Sequence, residues 1–221
     1  MIATTNQPEI RHTWVYKMTT ADGVLELRAI DTIGKMYPVV KQYRGANYRT
    51  KEDMLLAFEK DALALNAKGY NIYTTLNPIK PNFRGKTADD ADIDFRDLLF
   101  IDIDRTGTPK QPANEAELKA AWDVADQVEA YFLTYGEESL ARVMSGNGYH
   151  LYYILSGLKN DETSTAAIKE LLGALASKFD NEHIKIDTGV YNASRITKVC
   201  GCVARKGVAT PDRLYREVKI C

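Results

Sequence analysis

Residues 98–104 read Leu98-Leu99-Phe100-Ile101-Asp102-Ile103-Asp104, a short apolar run that ends in two acidic residues. Such a run predicts a buried strand. Side chains alternate between faces along a strand, so Asp102 and Asp104 are expected on the same face. Two close carboxylates repel each other unless a cation lies between them. Because both donors are oxygen, we expect magnesium or manganese there. The alternative is an exposed strand end with two solvated aspartates.

Strands and helices are mixed along the rest of the chain, which favours an α+β fold with a mixed or antiparallel sheet flanked by helices. We expect a single domain over residues 1–221, with an N-terminal α/β lobe at about 1–95 and a metal-binding core at about 96–221. The end at Cys221 is compatible with a longer protein. Ala21-Asp22-Gly23 is expected to join the first two strands as a hairpin. The predicted strands are 12–18, 24–30, 38–43, 70–76, 98–104, 140–144, 149–155 and 184–187, and the predicted helices are 50–68, 114–135 and 163–179.

A glycine-rich turn is expected to precede the strand at 149–155. The sequence there is Met144-Ser145-Gly146-Asn147-Gly148-Tyr149-His150. The glycines let the backbone approach a ligand and turn its amide groups toward an anion. Ser145 and Asn147 can donate further hydrogen bonds, and the His150 ring could donate to a phosphate oxygen. The alternative is an ordinary β-hairpin with Asn-Gly at its turn, which has the same sequence pattern.

A third acidic residue and two basic residues follow near the C-terminus. Asp187 closes a short β-branched strand and is available as another carboxylate. Arg195 and Lys198 are three residues apart, so a helical turn would place them on one face. Arginine binds phosphate through a bidentate fork and lysine as a point charge, so the pair suits a triphosphate. The alternative is a surface aspartate with two solvated cations.

The net charge of −1 gives no signal for nucleic-acid binding, but the distribution of charge does. From residue 185 onward, which we call the basic segment, only three acidic residues occur (Asp187, Asp212, Glu217). The eight basic residues of the basic segment are Lys185, Arg195, Lys198, Arg205, Lys206, Arg213, Arg216 and Lys219. A basic surface beside an acidic site suits a polyanionic substrate.

Targeting signals and a disulfide framework are not apparent in the sequence. No apolar run approaches the roughly 18–20 residues that span a bilayer, and the first residues lack the pattern of a signal peptide. Three cysteines give no disulfide pattern. We therefore expect a cytoplasmic protein that does not bind membranes.

The acidic and basic features fit one chemistry, two-metal phosphoryl transfer. One metal lowers the pKa of an attacking 3′-hydroxyl, and the other neutralises the nucleotide phosphates and the departing pyrophosphate. Positioning and electrostatics supply most of the catalysis, so residues that hold metal and residues that hold phosphate suffice.

The order of these motifs resembles the archaeo-eukaryotic primase superfamily, and is most similar to primase–polymerase domains of prophages and plasmids. The resemblance covers roughly residues 23–207 and implies a core like that of an RNA-recognition motif. It implies that Asp102, Asp104 and Asp187 are catalytic and hold two Mg²⁺ or Mn²⁺ ions. It also implies nucleotide and phosphate binding by His150, Ser145, Asn147, Gly148, Asn192, Arg195 and Lys198.

The resemblance further implies NTP or dNTP substrates, a single-stranded DNA template, a replicative helicase as partner, and replication of a mobile element. Two features depart from the family pattern. A serine of the family motif would stand where this chain has Gly148. Some relatives bind zinc, but Cys200 and Cys202 have only the distant Cys221 and His183 as partners, so no zinc is expected.

Two other classes of protein remain open at this point. Asp102, Asp104 and Thr106 also fit the opening motif of haloacid-dehalogenase-type phosphatases, in which the first aspartate is a nucleophile. Those enzymes need a later lysine, a further acidic pair and a parallel sheet with crossover helices. The second alternative is a non-catalytic replication-initiation module that binds DNA.

Overall fold

Two antiparallel sheets and three helices form the structure, a computed structural model that describes residues 23–107 and 110–221. The predicted strand at 12–18 and its hairpin turn lie outside the described residues. The strands are β1 (Val24–Ile30), β2 (Val39–Arg44), β3 (Asn71–Thr75), β4 (Phe95–Arg105), β5 (Ala141–Met144), β6 (Gly148–Lys159), β7 (Ile184–Ile186), β8 (Ile196–Lys198), β9 (Val203–Ala204), β10 (Arg216–Glu217) and β11 (Lys219–Ile220). The helices are α1 (Lys51–Ala67), α2 (Glu115–Leu133) and α3 (Glu162–Phe179), with 3₁₀ turns at Gly45–Asn47 and Asp90–Asp92.

The first sheet has the strand order β2-β1-β3-β8, and the second has the order β11-β5-β6-β4-β7. β9 and β10 form a separate short pair. Every strand pairing in the described part of the chain is antiparallel, which confirms the predicted α+β class. β8 comes from the C-terminal third of the chain yet pairs with β3. The first sheet is therefore not built from residues 1–95 alone.

The helices begin at capping residues and pack on the sheets through one apolar face. The Thr50 hydroxyl accepts the Asp53 amide at the start of α1, and Gly69 follows its end with a φ of +103°. α1 packs on β1 and β3, and α2 packs on β4 and β6. Their buried faces include Met54, Leu55, Phe58 and Ala62 of α1 and Leu118, Ala121, Val124 and Val128 of α2. None of the helices in the described residues has both the length and the apolar character needed to cross a bilayer.

β4 and β6 are longer than the sequence predicts. Their pairing continues from Asp104↔Gly148 to Phe95↔Lys159, with an irregularity between Arg96 and Leu98. The outer end of β6 is largely exposed, whereas the outer end of β4 includes the buried Arg96. Neither end has the apolar alternation that marks a strand in sequence.

Glu117 joins three parts of the chain at the start of α2. Its carboxylate accepts the Asn114 amide (2.9 Å), Arg105 Nη1 (3.0 Å) and Arg213 Nη1 (2.7 Å). Burial raises the pKa of Glu117, but the hydrogen bonds from Arg213 and Asn114 and the charge of Arg105 outweigh it and hold the pKa at about 2. The ionised carboxylate therefore ties β4 and the basic segment to α2.

Gly148 allows β6 to lie unusually close to β4. A Cβ atom added at Gly148 would lie 2.0 Å from the carbonyl oxygen of Ile103. No side chain fits there without separating the two strands. The close packing of the two strands therefore requires a glycine at this position.

We expect Glu117→Gln to lower the free energy of unfolding at pH 7 by about 2 kcal/mol, since a charged hydrogen-bond network around the buried Arg105 is lost. The folded pKa lies below the unfolded value. The stabilisation is therefore fully present above about pH 4.5 and is lost as the pH falls through about 2. Urea unfolding between pH 7 and pH 3 measures it. The exposed Glu138→Gln is the matched control, and equal stability of the two variants would contradict the assignment.

We expect Gly148→Ala to lower the free energy of unfolding by about 2 kcal/mol or more, because the new methyl group meets backbone rather than a movable side chain. Gly173 in α3 is the control, since a Cβ there meets nothing within 4 Å. Gly173→Ala should raise stability by about 0.5 kcal/mol. Thermal and urea unfolding of both variants measures the difference, and a stable Gly148→Ala variant would refute the close approach.

Candidate active site

A cavity of about 400 Å³ lies between the two sheets. Its walls combine acidic, basic and aromatic side chains from both sheets. Residues that are distant in the sequence therefore meet in this cavity. The residues that line it are Ile30, Thr32, Tyr73, Phe100, Asp102, Asp104, Ser145, Asn147, His150, Arg195, Ile196, Thr197, Lys198, Arg205 and Lys206.

The carboxylates lie on β4 where it pairs with β6 and β7. Asp102 is opposite His150 in β6, and Asp104 is opposite Gly148. The Asp187 amide, just beyond β7, donates to the Asp102 carbonyl (2.9 Å). Burial and then the charge of Asp104 raise the pKa of Asp102 to about 7, with Asp187 adding to the shift and Lys198 opposing it. The three acidic residues are therefore close enough to act on one another electrostatically.

Each carboxylate faces a basic group of the chain. Asp104 Oδ2 lies 3.1 Å from Lys206 Nζ, and Asp102 Oδ1 lies 3.5 Å from His150 Nε2. Asp187 lies 3.6 Å from Arg195 Nη2 and also accepts the Gly189 amide (2.8 Å). Asp187 does not line the cavity. Within the described residues, no group of three or more His, Cys, Asp or Glu side chains is arranged to hold a metal ion.

The chemistry of the donor set nevertheless fits a hard divalent cation. Asp102 and Asp104 offer oxygen atoms from one face of one strand. Burial, and after it repulsion from Asp104, raises the pKa of Asp102. A cation beside them would relieve that repulsion. Lys206 would compete with a metal for Asp104 Oδ2.

The opposite wall carries the cations Arg195, Lys198, Arg205 and Lys206. Lys198 donates from Nζ to the Ser145 carbonyl (2.7 Å), and burial lowers the pKa of Lys198 against the opposing charges of Asp102 and Asp104. Ile196–Lys198 forms β8 against β3, not the helical turn that would place Arg195 and Lys198 on one face. Both side chains line the cavity all the same.

His150 is 4% exposed and lies at the cavity wall. Its Nδ1 atom is 3.1 Å from the Tyr152 hydroxyl. Burial, followed by the charges of Lys198 and Arg195, lowers the pKa of His150 well below its usual value. The ring is therefore neutral at pH 7 and can both donate and accept a hydrogen bond.

The polar groups of the glycine-rich turn form hydrogen bonds within the protein. The Ser145 amide and hydroxyl both donate to the Gly148 carbonyl (2.9 and 3.2 Å). Asn147 Oδ1 accepts the Ala113 amide (2.9 Å), which fixes the approach to α2. Gly146 has a φ of +96°, and its amide lies 3.0 Å from Met144 Sδ. The expectation that this turn directs amide groups at an anion is therefore wrong for Ser145 and Gly146.

Asn192 does not line the cavity. Its Nδ2 atom lies 3.5 Å from Asp90 Oδ1 and 3.3 Å from the Ser194 hydroxyl. The Asp90 carboxylate also accepts the Ser194 amide (2.7 Å). Asn192 is thus part of a contact that holds the 3₁₀ turn at Asp90–Asp92 to the loop before β8.

Several cavity residues were not identified from their sequence pattern. Thr32 and Tyr73 come from the first sheet and carry no motif, so no local signal distinguishes them. Arg205 and Lys206 belong to the basic segment, which predicted a cationic surface without locating it. Cys200 and Cys202 are buried and form no disulfide within the described part of the chain.

Solved structures that share the fold include a primase and a DNA-bound polymerase domain. Primase RepB′ matches with a TM-score of 0.50 and 13% identity, over 96% of this chain and 54% of RepB′. The chain thus spans about half the length of RepB′. The polymerase domain of Mycobacterium tuberculosis ligase D, in complex with DNA, matches with a TM-score of 0.50 and 14% identity, over 86% of this chain and 73% of that domain. The sequence matches no protein-family model and no curated protein.

These matches confirm, at the level of fold, the resemblance that the three sequence motifs predicted. The antiparallel pairing throughout the described sheets does not favour the parallel architecture of haloacid-dehalogenase-type phosphatases. The chain has the fold of primase and polymerase catalytic domains.

Proposed function

We propose that the protein is a primase–polymerase, a nucleotidyltransferase that joins nucleotides on a single-stranded DNA template. The observation that supports it is the cavity in which the carboxylates of Asp102 and Asp104 face four cationic side chains. A triphosphate needs cations, and a metal that bridges it to the protein needs carboxylates. A cavity with both kinds of wall suits that pair of ligands.

The residues of the chain have separate tasks in this proposal. Asp102 and Asp104 hold Mg²⁺ or Mn²⁺, with Asp187 beside them as the third carboxylate. When bound, the metals activate the attacking 3′-hydroxyl and neutralise charge on the phosphates. Arg195, Lys198, Arg205 and Lys206 bind the triphosphate of the incoming NTP or dNTP. His150 donates from Nε2 to a phosphate oxygen.

The wider setting of the activity rests on the sequence resemblance. A single-stranded DNA template, a replicative helicase as partner and replication of a mobile element are parts of the proposal. A non-catalytic DNA-binding module is the remaining alternative, and nucleotide incorporation distinguishes it from an enzyme.

We expect Asp102→Asn and Asp104→Asn each to reduce nucleotide incorporation by at least about a thousandfold, because each removes a charge needed in the transition state. The assay contains single-stranded template, Mg²⁺ or Mn²⁺, and labelled NTPs or dNTPs. Asp97→Asn is the matched control, since Asp97 is on the same strand outside the cavity. It should retain the activity of the unaltered protein.

Full synthesis by both cavity variants would disprove the metal assignment. If the unaltered protein forms no product on any template with either metal, the enzyme proposal fails and the DNA-binding module is favoured.

We expect Lys206→Met to bind Mn²⁺ about fivefold more tightly without nucleotide, equivalent to about 1 kcal/mol, because the ammonium group no longer competes for Asp104. Arg205→Met is the matched control. It removes a positive charge from the same cavity, but the Arg205 side chain donates to the Val203 carbonyl rather than to a carboxylate. Electron paramagnetic resonance of free Mn²⁺ measures the affinity. Equal effects of the two substitutions would show that Lys206 acts only through net charge.

A further inference from the structure

A buried chain of hydrogen bonds runs from the first sheet to the cavity wall. The Tyr152 hydroxyl lies 3.1 Å from His150 Nδ1 and 2.6 Å from the Thr197 hydroxyl. Tyr152, Thr197 and His150 are 0%, 1% and 4% exposed. Tyr152 and His150 are in β6, whereas Thr197 is in β8, so the chain of contacts joins the two sheets.

The surroundings of His150 Nε2 determine which groups donate and which accept in these hydrogen bonds. A neutral histidine carries one N–H, and its second nitrogen accepts. His150 Nε2 lies 3.5 Å from a carboxylate oxygen of Asp102, which favours the proton on Nε2. Nδ1 then accepts from the Tyr152 hydroxyl, and Tyr152 accepts in turn from the Thr197 hydroxyl.

The surroundings restrict the imidazole to this orientation. Phe100 meets the His150 ring edge-on, with 4.8 Å between ring centroids and 83° between the planes. A buried hydroxyl costs free energy unless it is hydrogen-bonded, so Tyr152 has a physical reason to keep both partners. Tyr152 does not line the cavity, so it can act on a ligand only through its neighbours His150 and Thr197, which do.

We propose that Tyr152 and Thr197 are positioning residues that hold His150 as the Nε2–H tautomer, with that N–H on the side of Asp102 and the cavity, where a nucleotide phosphate can replace Asp102 as its acceptor. The role toward a nucleotide rests on the proposed function. The tautomer itself is a property of the protein alone. Without the Tyr152 hydroxyl, Nδ1 would keep only the longer contact with the Thr197 hydroxyl at 3.4 Å, so Nδ1 and Nε2 would compete for the proton.

The test is ¹⁵N NMR of histidine-labelled protein at neutral pH, which distinguishes a protonated from an unprotonated ring nitrogen. The chain has three histidines, so the His150 signals can be assigned with a His150→Gln variant. The unaltered protein should show protonated Nε2 and unprotonated Nδ1. Tyr152→Phe, which keeps the ring and removes the hydroxyl, should shift both signals toward a mixture of tautomers.

The matched control is Tyr153→Phe. Tyr153 follows Tyr152 in β6, is also buried, and stacks on Phe132 with 4.2 Å between centroids. Tyr153→Phe removes a hydroxyl from the opposite face of β6, so the His150 signals should stay unchanged. Thr197→Val is a second variant that keeps Tyr152 and removes its donor, and it should give a smaller shift in the same direction. It also tests the proposal if Tyr152→Phe does not fold.

In the incorporation assay, Tyr152→Phe should raise KM for the nucleotide about fivefold with a smaller change in kcat, while Tyr153→Phe leaves both unchanged. A proton on Nδ1 in the unaltered protein, or His150 signals that neither Tyr152→Phe nor Thr197→Val moves, would overturn the proposal. If the NMR result holds and no nucleotide is incorporated, the tautomer assignment stands and the proposed function fails.

Discussion

The pairing of β4 with β6 is the constraint on which the candidate site depends. Its register places Asp102 opposite His150 and Asp104 opposite Gly148. Because the strands are this close at Gly148, a slip of one residue would both create a clash and move the two aspartates to the other face. The hydrogen bonds of the backbone therefore determine which side chains meet in the cavity.

Opposed charges on the two walls explain the protonation of the site. Carboxylates on β4 are desolvated and close together, which raises the pKa of Asp102, while Lys198 of β8 and Arg195 just before it oppose that rise. The same burial lowers the pKa of Lys198 and of His150. Because these charges compensate each other only in part, strong local electric fields remain in a protein whose net charge is nearly zero. Such fields bind charged ligands.

Sequence patterns predicted those parts of the site that local rules determine. Strand alternation placed Asp102 and Asp104 on one face, and both line the cavity. Patterns could not show that Asn147 would support α2, or that residues 196–198 would pair with β3, because both depend on segments distant in the chain. Lys206 meets Asp104 for the same reason: their contact requires the completed fold. The long outer end of β6 was missed since solvent faces it and no apolar period remains.

The position of β8 has a consequence for how the chain folds during synthesis. β3 emerges from the ribosome early and has β1 as its neighbour on one side. Its neighbour on the other side, β8, is made only after α2 and α3 have been translated. The β3 edge of the first sheet therefore stays unpaired until residues 196–198 have been translated. Because the same segment brings Arg195 and Lys198 to the cavity, the cationic wall is assembled only after α3 has been translated. Asp102 and Asp104 are thus translated well before the basic residues that face them.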